Sequence, residues 1–338
     1  MLKRQPVNIK DIAKKAGVSS ATVSRVINQP HLVKRDTRIK VQKVIDSEHY
    51  SASSIAKQLR MNQSFTIGFI PTSVNMNFYS NIGLGIEDTA RKNDYSVIFC
   101  NSHDIPEKEK QYLNVLLEKR VDGIILSPTG QNRDIIGRIK ANGIPVCFID
   151  RIIEGVKCDY VVVDNEEATR RTVKDLFSRG YSRIGFIAPP PHIMTGQERI
   201  KGYKKAYEES GYNYDANLIS ISDLSVAGGK KTTHDLIEKQ NLDVVFVANE
   251  LTAAGALEAV LERGLRIPED IGFVMWDDPE WTRIARPQIS VIAQPLRTIG
   301  ETAAELLFKR LSSERTEEDS EPIRVMLKTS FIERGSLR

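Results

Sequence analysis

Short apolar segments alternate with segments of helical periodicity from about residue 65 to residue 278. The apolar segments begin with TIGFI at 66–70 and end with GFVMWDD at 272–278. Strands that are apolar throughout and alternate with helices are typical of parallel sheets covered by helices on both faces. The alternation begins again after YVVVD at 160–164, and this restart predicts two similar α/β halves.

The first 30 residues show a different pattern, in which a glycine separates two short amphipathic helices. The first helix has apolar residues at helical spacing, namely Ile9, Ile12, Ala13 and Ala16. Gly17 then ends it, and Ser19 caps a second helix over 19–28. This is the helix-turn-helix layout, whose second helix enters the major groove of DNA. The plain alternative is a capped helical hairpin with a solvated outer face.

The distribution of charge favours the DNA-binding interpretation. Residues 1–60 contain 13 Lys and Arg against 4 Asp and Glu, whereas the other 278 residues contain 35 against 40. A basic amino-terminal segment joined to an acidic body is the electrostatic pattern of a nucleic-acid-binding protein. In the second helix, Ser20 and Ala21 allow close approach of the backbone, and Arg25 is able to bind guanine through two hydrogen bonds.

The segment IKDIAKKAGVSSATVSRVIN resembles the headpiece of the LacI/GalR family of bacterial transcription regulators. The likeness continues through Thr37, Tyr50 and SSIAKQL at 53–59, and it covers nearly the whole chain. It implies that three residues read bases, namely Ser20, Ala21 and Arg25. It also implies phosphate contacts from Ser19, Thr22, Asn28 and Thr37. A third helix is predicted over 30–47, where Lys34 takes the place of the usual serine cap and Asp36 is an alternative cap.

Residues 51–63 are rich in serine, which is typical of a flexible linker. The resemblance instead implies a hinge helix that folds when two copies meet on the operator. In that helix Ala56 and Leu59 contact DNA, and Leu59 enters a base step in the minor groove as a wedge. Many relatives have Pro-Asn where this chain has Ala-Ser at 52–53, so the start of the hinge is less fixed.

The resemblance implies a helix-turn-helix headpiece followed by a periplasmic-binding-protein-like core of two doubly wound parallel-sheet subdomains. We expect the headpiece over 1–50, the hinge over 51–63 and the core over 64–338, with chain crossings between the subdomains near 163, 291 and 325. The N-subdomain then comprises about 64–162 and 292–324, and the C-subdomain about 163–290 and 325–338.

Ligands of open α/β sheets bind beyond the carboxyl ends of the strands, and polar residues follow several predicted strands here. Asp150 and Arg151 follow one strand, Asn249 follows another, and Trp276 and Asp277 end a third. Carboxylates, an amide and guanidinium groups beside aromatic faces suit a polyhydroxylated ligand. Each residue alone has an ordinary alternative, because an Asp or Asn at a strand end often caps the next helix.

The resemblance supports the set as a site, because five residues coincide with the family's usual sugar contacts: Phe78, Asp150, Arg199, Asn249 and Asp277. Gln294 matches a cleft or hinge position. Leu224 stands where relatives often have an aromatic residue, and Trp276 is a candidate for the missing stacking surface.

Arg151 adds a second guanidinium beside Asp150, and two guanidiniums are able to hold a carboxylate. It therefore motivates the hypothesis that the effector is a sugar acid, in keeping with a loose resemblance to the family's regulators of 2-keto-3-deoxygluconate and pectin catabolism. The alternative is that Arg151 only pairs with Asp150 or Glu154.

Several classes of protein are disfavoured by the sequence. No apolar run is long enough for a membrane span, and the start of the chain lacks the apolar core of an export signal. Cys100, Cys147 and Cys158 have no metal-type spacing, and the first two lie in apolar strand-like runs. The five His are scattered, and no P-loop or H-E-x-x-H motif is present. We therefore expect a cytoplasmic protein that is not an enzyme and uses no cofactor.

The expected partners are double-stranded operator DNA, a second copy of the chain and a small sugar or sugar-acid effector. Helices near 78–92 and 250–262 are expected to carry the dimer face. An alternative keeps the DNA binding but assigns control to a phosphocarrier protein, because RPQISVIAQP at 286–295 is similar to the matching stretch of the family's catabolite control proteins. Repression is expected, and both induction and corepression stay open.

Overall fold

The structure is a computed structural model that describes residues 7–48, 63–312 and 321–338. The chain consists of two compact units, Met1–Ser64 and Phe65–Arg338. The described part of the first unit contains three α-helices, α1 (Ile9–Ala16), α2 (Ser20–Asn28) and α3 (Arg35–Ser47).

Side-chain caps determine where the first two helices begin. The Asn8 side-chain oxygen accepts from the backbone N–H groups of Lys10 and Asp11, and the Asp11 carboxylate accepts from the Asn8 N–H. This reciprocal capping box begins α1, and Gly17 ends it in the left-handed conformation at φ 60°. Ser19 caps α2 by accepting from the Thr22 N–H at 3.1 Å.

The third helix is shorter than predicted. Pro30–Leu32 form a separate 3₁₀ turn, and α3 begins only at Arg35. Lys34 provides no side-chain cap, and Asp36 lies in the first turn, where its charge interacts favourably with the helix dipole. The three helices bury a small core composed of Ile12, Ala13, Ala16, Val23, Val26 and Val41.

The second unit contains twelve strands in the described part of the chain. They are β1 (Thr66–Ile70), β2 (Ser96–Phe99), β3 (Gly123–Leu126), β4 (Val146–Ile149), β5 (Asp159–Val163), β6 (Ile184–Ala188), β7 (Ile219–Ile221), β8 (Val244–Val247), β9 (Gly272–Trp276), β10 (Ser290–Ala293), β11 (Arg324–Leu327) and β12 (Ser330–Ile332). The helices among them are α4 (Asn77–Lys92), α5 (Pro106–Glu118), α6 (Arg133–Ala141), α7 (Asn165–Ser178), α8 (Met194–Ser210), α9 (Val226–Lys239), α10 (Glu250–Glu262), α11 (Trp281–Ile284) and α12 (Leu296–Ser312).

The strands form two six-stranded sheets, each of which is the centre of one lobe. The N-lobe sheet has the order β11-β5-β4-β3-β1-β2 and is parallel throughout. The C-lobe sheet has the order β12-β10-β9-β8-β6-β7, and only the β10–β12 pair is antiparallel. Phe69, Phe186, Phe246 and Phe273 on the central strands are completely buried, as helices on both faces require. The predicted two-sheet α/β architecture is confirmed.

Two of the three chain crossings between the lobes lie later in the sequence than predicted. The chain leaves the N-lobe sheet after Val163, as expected, but residues 291 and 325 lie inside β10 and β11. A strand that is hydrogen-bonded along its length in one sheet cannot change lobe at its middle. The second and third crossings therefore lie at 294–295 and 328–329, three to four residues later than predicted.

Helix α12 belongs to the N-lobe, where it packs against α4. Two glycines permit a close approach of these helix backbones. A Cβ atom at Gly85 would collide with the backbone oxygen of Arg297, and one at Gly300 would collide with that of Ile82. Since any larger residue would separate the helices, glycine is required at both positions.

Candidate functional site

A cavity of about 350 Å³ lies between the two lobes, at the carboxyl ends of both sheets. The N-lobe contributes residues after β1, β2 and β4, and the C-lobe contributes residues after β6, β7, β8, β9 and β10. Seven of the eight predicted effector contacts line it: Phe78, Asp150, Arg151, Arg199, Asn249, Asp277 and Gln294. The arrangement matches the general position of ligand sites in open α/β sheets.

Arg199 on α8 forms the floor of the cavity and is only 5% exposed. Its Nε donates to Asn165 Oδ1 at 2.9 Å, and its Nη1 donates to the Ala248 carbonyl at 2.6 Å. Burial lowers the pKa of Arg199, and the carboxylates of Asp277 and Asp150 oppose that effect. Among the described residues its Nη2 has no hydrogen-bond partner, so this nitrogen is available as a donor to a ligand.

Trp276 does not line the cavity, in contrast to the predicted stacking role. The ring is completely buried, and the guanidinium carbon of Arg199 lies 3.6 Å from its centre. The Trp276 side chain, at the end of β9, therefore lies beneath Arg199 and supports it by a cation–π contact. A ligand is unable to reach the ring because Arg199 covers it.

Asp277 and Gln294 form a polar pair on the C-lobe side. Gln294 Nε2 donates to Asp277 Oδ1 at 2.7 Å, and the other Asp277 oxygen has no protein partner among the described residues. Burial raises the pKa of Asp277, although Arg199 and Gln294 act in the opposite direction. Gln294 Oε1 is buried without a hydrogen bond, which leaves an acceptor beside the cavity.

Asn249 both caps a helix and lines the cavity, the two roles that the sequence left open. Its side-chain oxygen caps α10 by accepting from the backbone N–H groups of Leu251 and Thr252, at 3.0 and 3.2 Å. Its amide nitrogen has no partner in the described ranges, and the residue lines the cavity. The cap therefore fixes the orientation of an amide donor.

Asp150 and Arg151 belong to a network on the N-lobe side. Tyr79 Oη donates to Asp150 Oδ2 at 2.8 Å, and burial together with Asp150 raises the pKa of Tyr79. Arg151 Nη1 donates to Asp104 Oδ1 at 2.7 Å, and Arg151 Nε lies 3.4 Å from Asp150 Oδ2. Pairing with Asp150 or Glu154 was the alternative to a role in binding a sugar acid, and the closer partner, Asp104, was not predicted.

Five of the lining residues have left-handed backbone conformations that non-glycine residues rarely adopt. They are His103, Asp104, Asp150, Leu224 and Asp277, with φ between 54° and 73°. Such conformations cost on the order of 1–3 kcal/mol each and are concentrated at functional sites. The strand ends are therefore bent so that their side chains face the cavity.

The sequence missed several lining residues that lie in loops or in the first turns of helices, without a distinctive pattern. They are Thr72, Ser73, Met76, His103, Asp104, Pro189, Pro190, His192, Ile193, Thr195, Asp223, Ala248 and Leu251. The available signal was their position, because each follows a predicted strand at the same edge as the residues that were found. Among the described ranges, no group of three or more His, Cys, Asp or Glu side chains is placed to hold a metal ion.

Glu250 lies beside the cavity, where the two lobes meet, and its Oε2 is buried without a hydrogen-bond partner among the described residues. It is the first residue of α10 in the C-lobe, and its carboxylate faces the backbone N–H groups of Asn77 and Phe78 at the start of α4 in the N-lobe. Burial and the nearby charge of Asp277 raise the pKa of Glu250 to about 7, against the effect of those N–H groups. Glu250 is therefore ready to lose a proton near neutral pH.

Replacing Glu250 by Gln is expected to reduce the pH dependence of core stability. The folded-state pKa of about 7 lies above the ordinary value of 4.5, so the folded state binds this proton more tightly than the unfolded chain. The resulting stabilisation is complete below about pH 4.5 and is lost as the pH rises to about 7, which amounts to about 2–3 kcal/mol between pH 5 and 8. Guanidinium denaturation followed by tryptophan fluorescence at both pH values measures it, since both Trp lie in the second unit.

The matched control for this measurement is Glu258→Gln, on the exposed surface of the same helix. It should retain the wild-type difference between pH 5 and 8. An unchanged difference in the Glu250→Gln protein would contradict the assignment of the raised pKa to Glu250.

The headpiece presents a polar surface at the start of α2. Ser19, Ala21 and Arg25 are exposed, and Ser20 and Thr22 are half-buried. Thr37 is half-buried near the start of α3. Ala56 and Leu59 lie outside the described residues, and so does the side chain of Asn28.

The fold and the cavity define a class of protein, a periplasmic-binding-protein-like core with a helix-turn-helix headpiece. Residues 8–53 match the family described as bacterial regulatory proteins, lacI family, and residues 173–337 match the periplasmic binding protein-like domain. The HTH-type transcriptional repressor PurR of Vibrio atlanticus is 31% identical over 98% of this chain and 98% of its own length. PurR of Yersinia pestis is 33% identical over 97% of this chain and 96% of its own length. This chain belongs to the lacI family of bacterial regulatory proteins.

Solved structures agree with this assignment. The Lac repressor dimer bound to operator and the anti-inducer ONPF matches with a TM-score of 0.87 and 27% identity, over 99% of this chain and all of that one. The complex of the transcriptional regulator CelR with cellobiose matches with a TM-score of 0.74 and 28% identity, over 98% of this chain and all of that one. The relatives are transcriptional repressors, which confirms the prediction of a regulator rather than an enzyme. In the described part of the chain, no helix has the length and apolar character needed to cross a membrane.

Proposed function

We propose that the chain is a homodimeric repressor that binds a pseudo-palindromic operator and responds to a small sugar or sugar acid in the cavity between its lobes. The observation that carries this proposal is the chemistry of the cavity. It offers donors from Arg199 and Asn249 beside acceptors from Asp150, Asp277 and Gln294. A hydroxyl group both donates and accepts, so a polyhydroxylated ligand fits this mixture.

The ligands of two related structures support the ligand class. CelR is in complex with cellobiose, and a LacI family transcriptional regulator from Enterococcus faecium has bound ribose. The last is 27% identical over 80% of this chain. These ligands belong to those proteins, and for this chain they support a sugar-type effector.

The effector would act by linkage between the cavity and the operator. Its contacts come from both lobes, so its affinity depends on the angle between them. A ligand that binds one lobe arrangement better shifts the population toward that arrangement. The resemblance implies that the segment at 51–63 transmits the change in lobe angle to the DNA-binding headpiece. Most of this segment lies outside the described residues.

Exposed apolar residues on the core support the dimer. The predicted helices contribute Leu84 on α4 and Leu261 on α10, which are 52% and 57% exposed. Helix α11 adds Ile284, which is 72% exposed and borders an almost wholly apolar depression with Leu257, Leu261 and Pro287. Removing such a surface from water is a driving force for association.

Operator selection from random duplex DNA tests the proposal, first without a ligand and then with a panel of sugars and sugar acids. We expect an enriched inverted repeat that one class of compound releases or tightens. An inverted repeat that no compound affects would favour a phosphocarrier protein as co-effector. The proposal fails if no sequence is enriched at moderate salt.

Replacing Arg25 by Ala is expected to weaken binding to the selected operator by about 1–3 kcal/mol, because a bidentate contact to guanine is lost. Binding to random duplex should change much less. Fluorescence anisotropy with both duplexes at one salt concentration measures the two affinities. An equal loss on both would instead identify Arg25 as a phosphate contact.

A further inference from the structure

We propose that Asp104 sets the charge selectivity of the cavity, by neutralising Arg151 so that the effector is a neutral polyhydroxylated compound and sugar acids are excluded. This inference rests on the proposed function and narrows its ligand class. It replaces the hypothesis that Arg151 receives a carboxylate from the ligand.

The geometry places Arg151 between two carboxylates of its own lobe. Asp104 Oδ1 lies 2.7 Å from Arg151 Nη1, and Asp150 Oδ2 lies 3.4 Å from Arg151 Nε. The Arg151 side chain is 11% exposed and that of Asp104 is 26% exposed, and both line the cavity. Arg151 keeps its own charge, but the guanidinium and the two carboxylates beside it together have no net positive charge with which to attract a third carboxylate.

The charge of the second guanidinium is offset as well, although its Nη2 is still available as a hydrogen-bond donor. Arg199 donates to Asn165 and Ala248, and its charge is opposed by Asp277 and Asp150. The cavity wall as a whole carries four carboxylates, on Asp104, Asp150, Asp223 and Asp277, against two guanidiniums. An anionic ligand would therefore meet net repulsion, whereas hydroxyl groups would find donors and acceptors.

The backbone holds Asp104 in this position. His103 and Asp104 are consecutive non-glycine residues in the left-handed conformation, with φ of 54° and 57°. Asn101 Oδ1 accepts from the His103 N–H at 3.4 Å, and the Asn101 amide contacts the His103 ring at 3.1 Å. This bend in the loop after β2 directs the Asp104 carboxylate to Arg151, which follows β4 in the same sheet.

The test uses Asp104→Asn in the full chain, because asparagine has the shape of aspartate, tolerates the left-handed conformation and lacks the charge. The probes are matched pairs, D-glucose with D-glucuronate and D-galactose with D-galacturonate, in thermal-shift and calorimetric titrations. We expect both acids to bind the Asp104→Asn protein at least about tenfold more tightly than wild type, as the release of one charge-assisted contact allows. The control is Asp223→Asn, which removes a carboxylate from the same cavity without releasing an arginine, because Asp223 is bonded to Ser225.

A double variant identifies the receptor of the acid. Adding Arg151→Gln to Asp104→Asn should abolish the gained affinity, because the released guanidinium is then missing. Three results would overturn the inference: acids that bind wild type as tightly as the variant, acids that bind neither protein, or an equal gain in Asp223→Asn. If the neutral sugars bind neither wild type nor any variant, the sugar effector of the proposed function is contradicted. The affinities of the acids for wild type and for the Asp104→Asn protein still test the present inference.

Discussion

Replacing Arg199 by Leu is expected to abolish effector binding and to lower the free energy of unfolding of the core by about 3–5 kcal/mol, which is typical of breaking a buried charge pair. Arg199 opposes the buried charge of Asp277, donates to Asn165 and Ala248, and covers the Trp276 ring. Leucine fills part of the volume, but it leaves Asn165 Oδ1 without its donor and Asp277 without its counter-charge.

The loss of stability should depend on pH with a defined sign. Burial already raises the pKa of Asp277, and Arg199 works against that rise. Without Arg199 the pKa of Asp277 rises further, so the folded state holds the proton more tightly than the unfolded chain. The stability due to this proton is present at low pH and is lost as the pH rises through the folded-state pKa. Guanidinium denaturation at pH 5 and 8 should therefore show the larger deficit at pH 8.

The matched control is Arg283→Leu, an arginine of the same lobe whose side chain is 62% exposed and whose partner Asp278 is also held by Arg334. Its effect on stability should stay within about 1 kcal/mol, as is usual for an exposed ion pair. Wild-type stability and effector response in Arg199→Leu would show that the floor of the cavity has been wrongly assigned.

Replacing Ile284 by Glu is expected to convert the proposed dimer to monomers and to weaken operator binding by about 100- to 10,000-fold, the gain that linking two binding modules usually provides. The reason is the position of Ile284 beside an apolar depression that also includes Leu257, Leu261 and Pro287. A carboxylate there would have to be desolvated in the interface without a partner. Analytical ultracentrifugation gives the mass, and anisotropy with the selected operator gives the affinity.

Met326→Glu is the control for the dimer prediction, because Met326 is apolar and 67% exposed but lies on β11, an edge strand of the N-lobe sheet. We expect it to remain dimeric and to bind the operator as wild type does. A dimeric Ile284→Glu protein with intact operator binding would place the interface elsewhere.

The residues at strand ends were the predictable part of the site. An apolar strand in a parallel sheet ends at the carboxyl edge, so Asp150, Asn249 and Asp277 were expected to meet there. What a sequence pattern does not give is the direction of each side chain at the end of a strand. Trp276 precedes Asp277 and was grouped with it, but the ring lies beneath Arg199 while Asp277 reaches the cavity.

Pairing across the sheet was the unpredictable part. Arg151 was recognised as unusual, but its partner Asp104 is 47 residues away in a loop without a motif. Their contact depends on the order β4-β3-β1-β2, which brings the loops after β2 and β4 to one edge. Likewise, β11 and β12 are short edge strands with partly exposed residues, so they lack the apolar run that marked the central strands.

The interleaved path of the chain has a consequence for biosynthesis. The N-lobe sheet needs β11 at Arg324–Leu327, and the same lobe needs α12, which Gly85 and Gly300 bring close to α4. A growing polypeptide therefore emerges from the ribosome with most of both lobes made but neither sheet complete. The last two strands, one for each sheet, both lie in the nine-residue segment 324–332. Both sheets are therefore completed almost together, when synthesis is nearly finished.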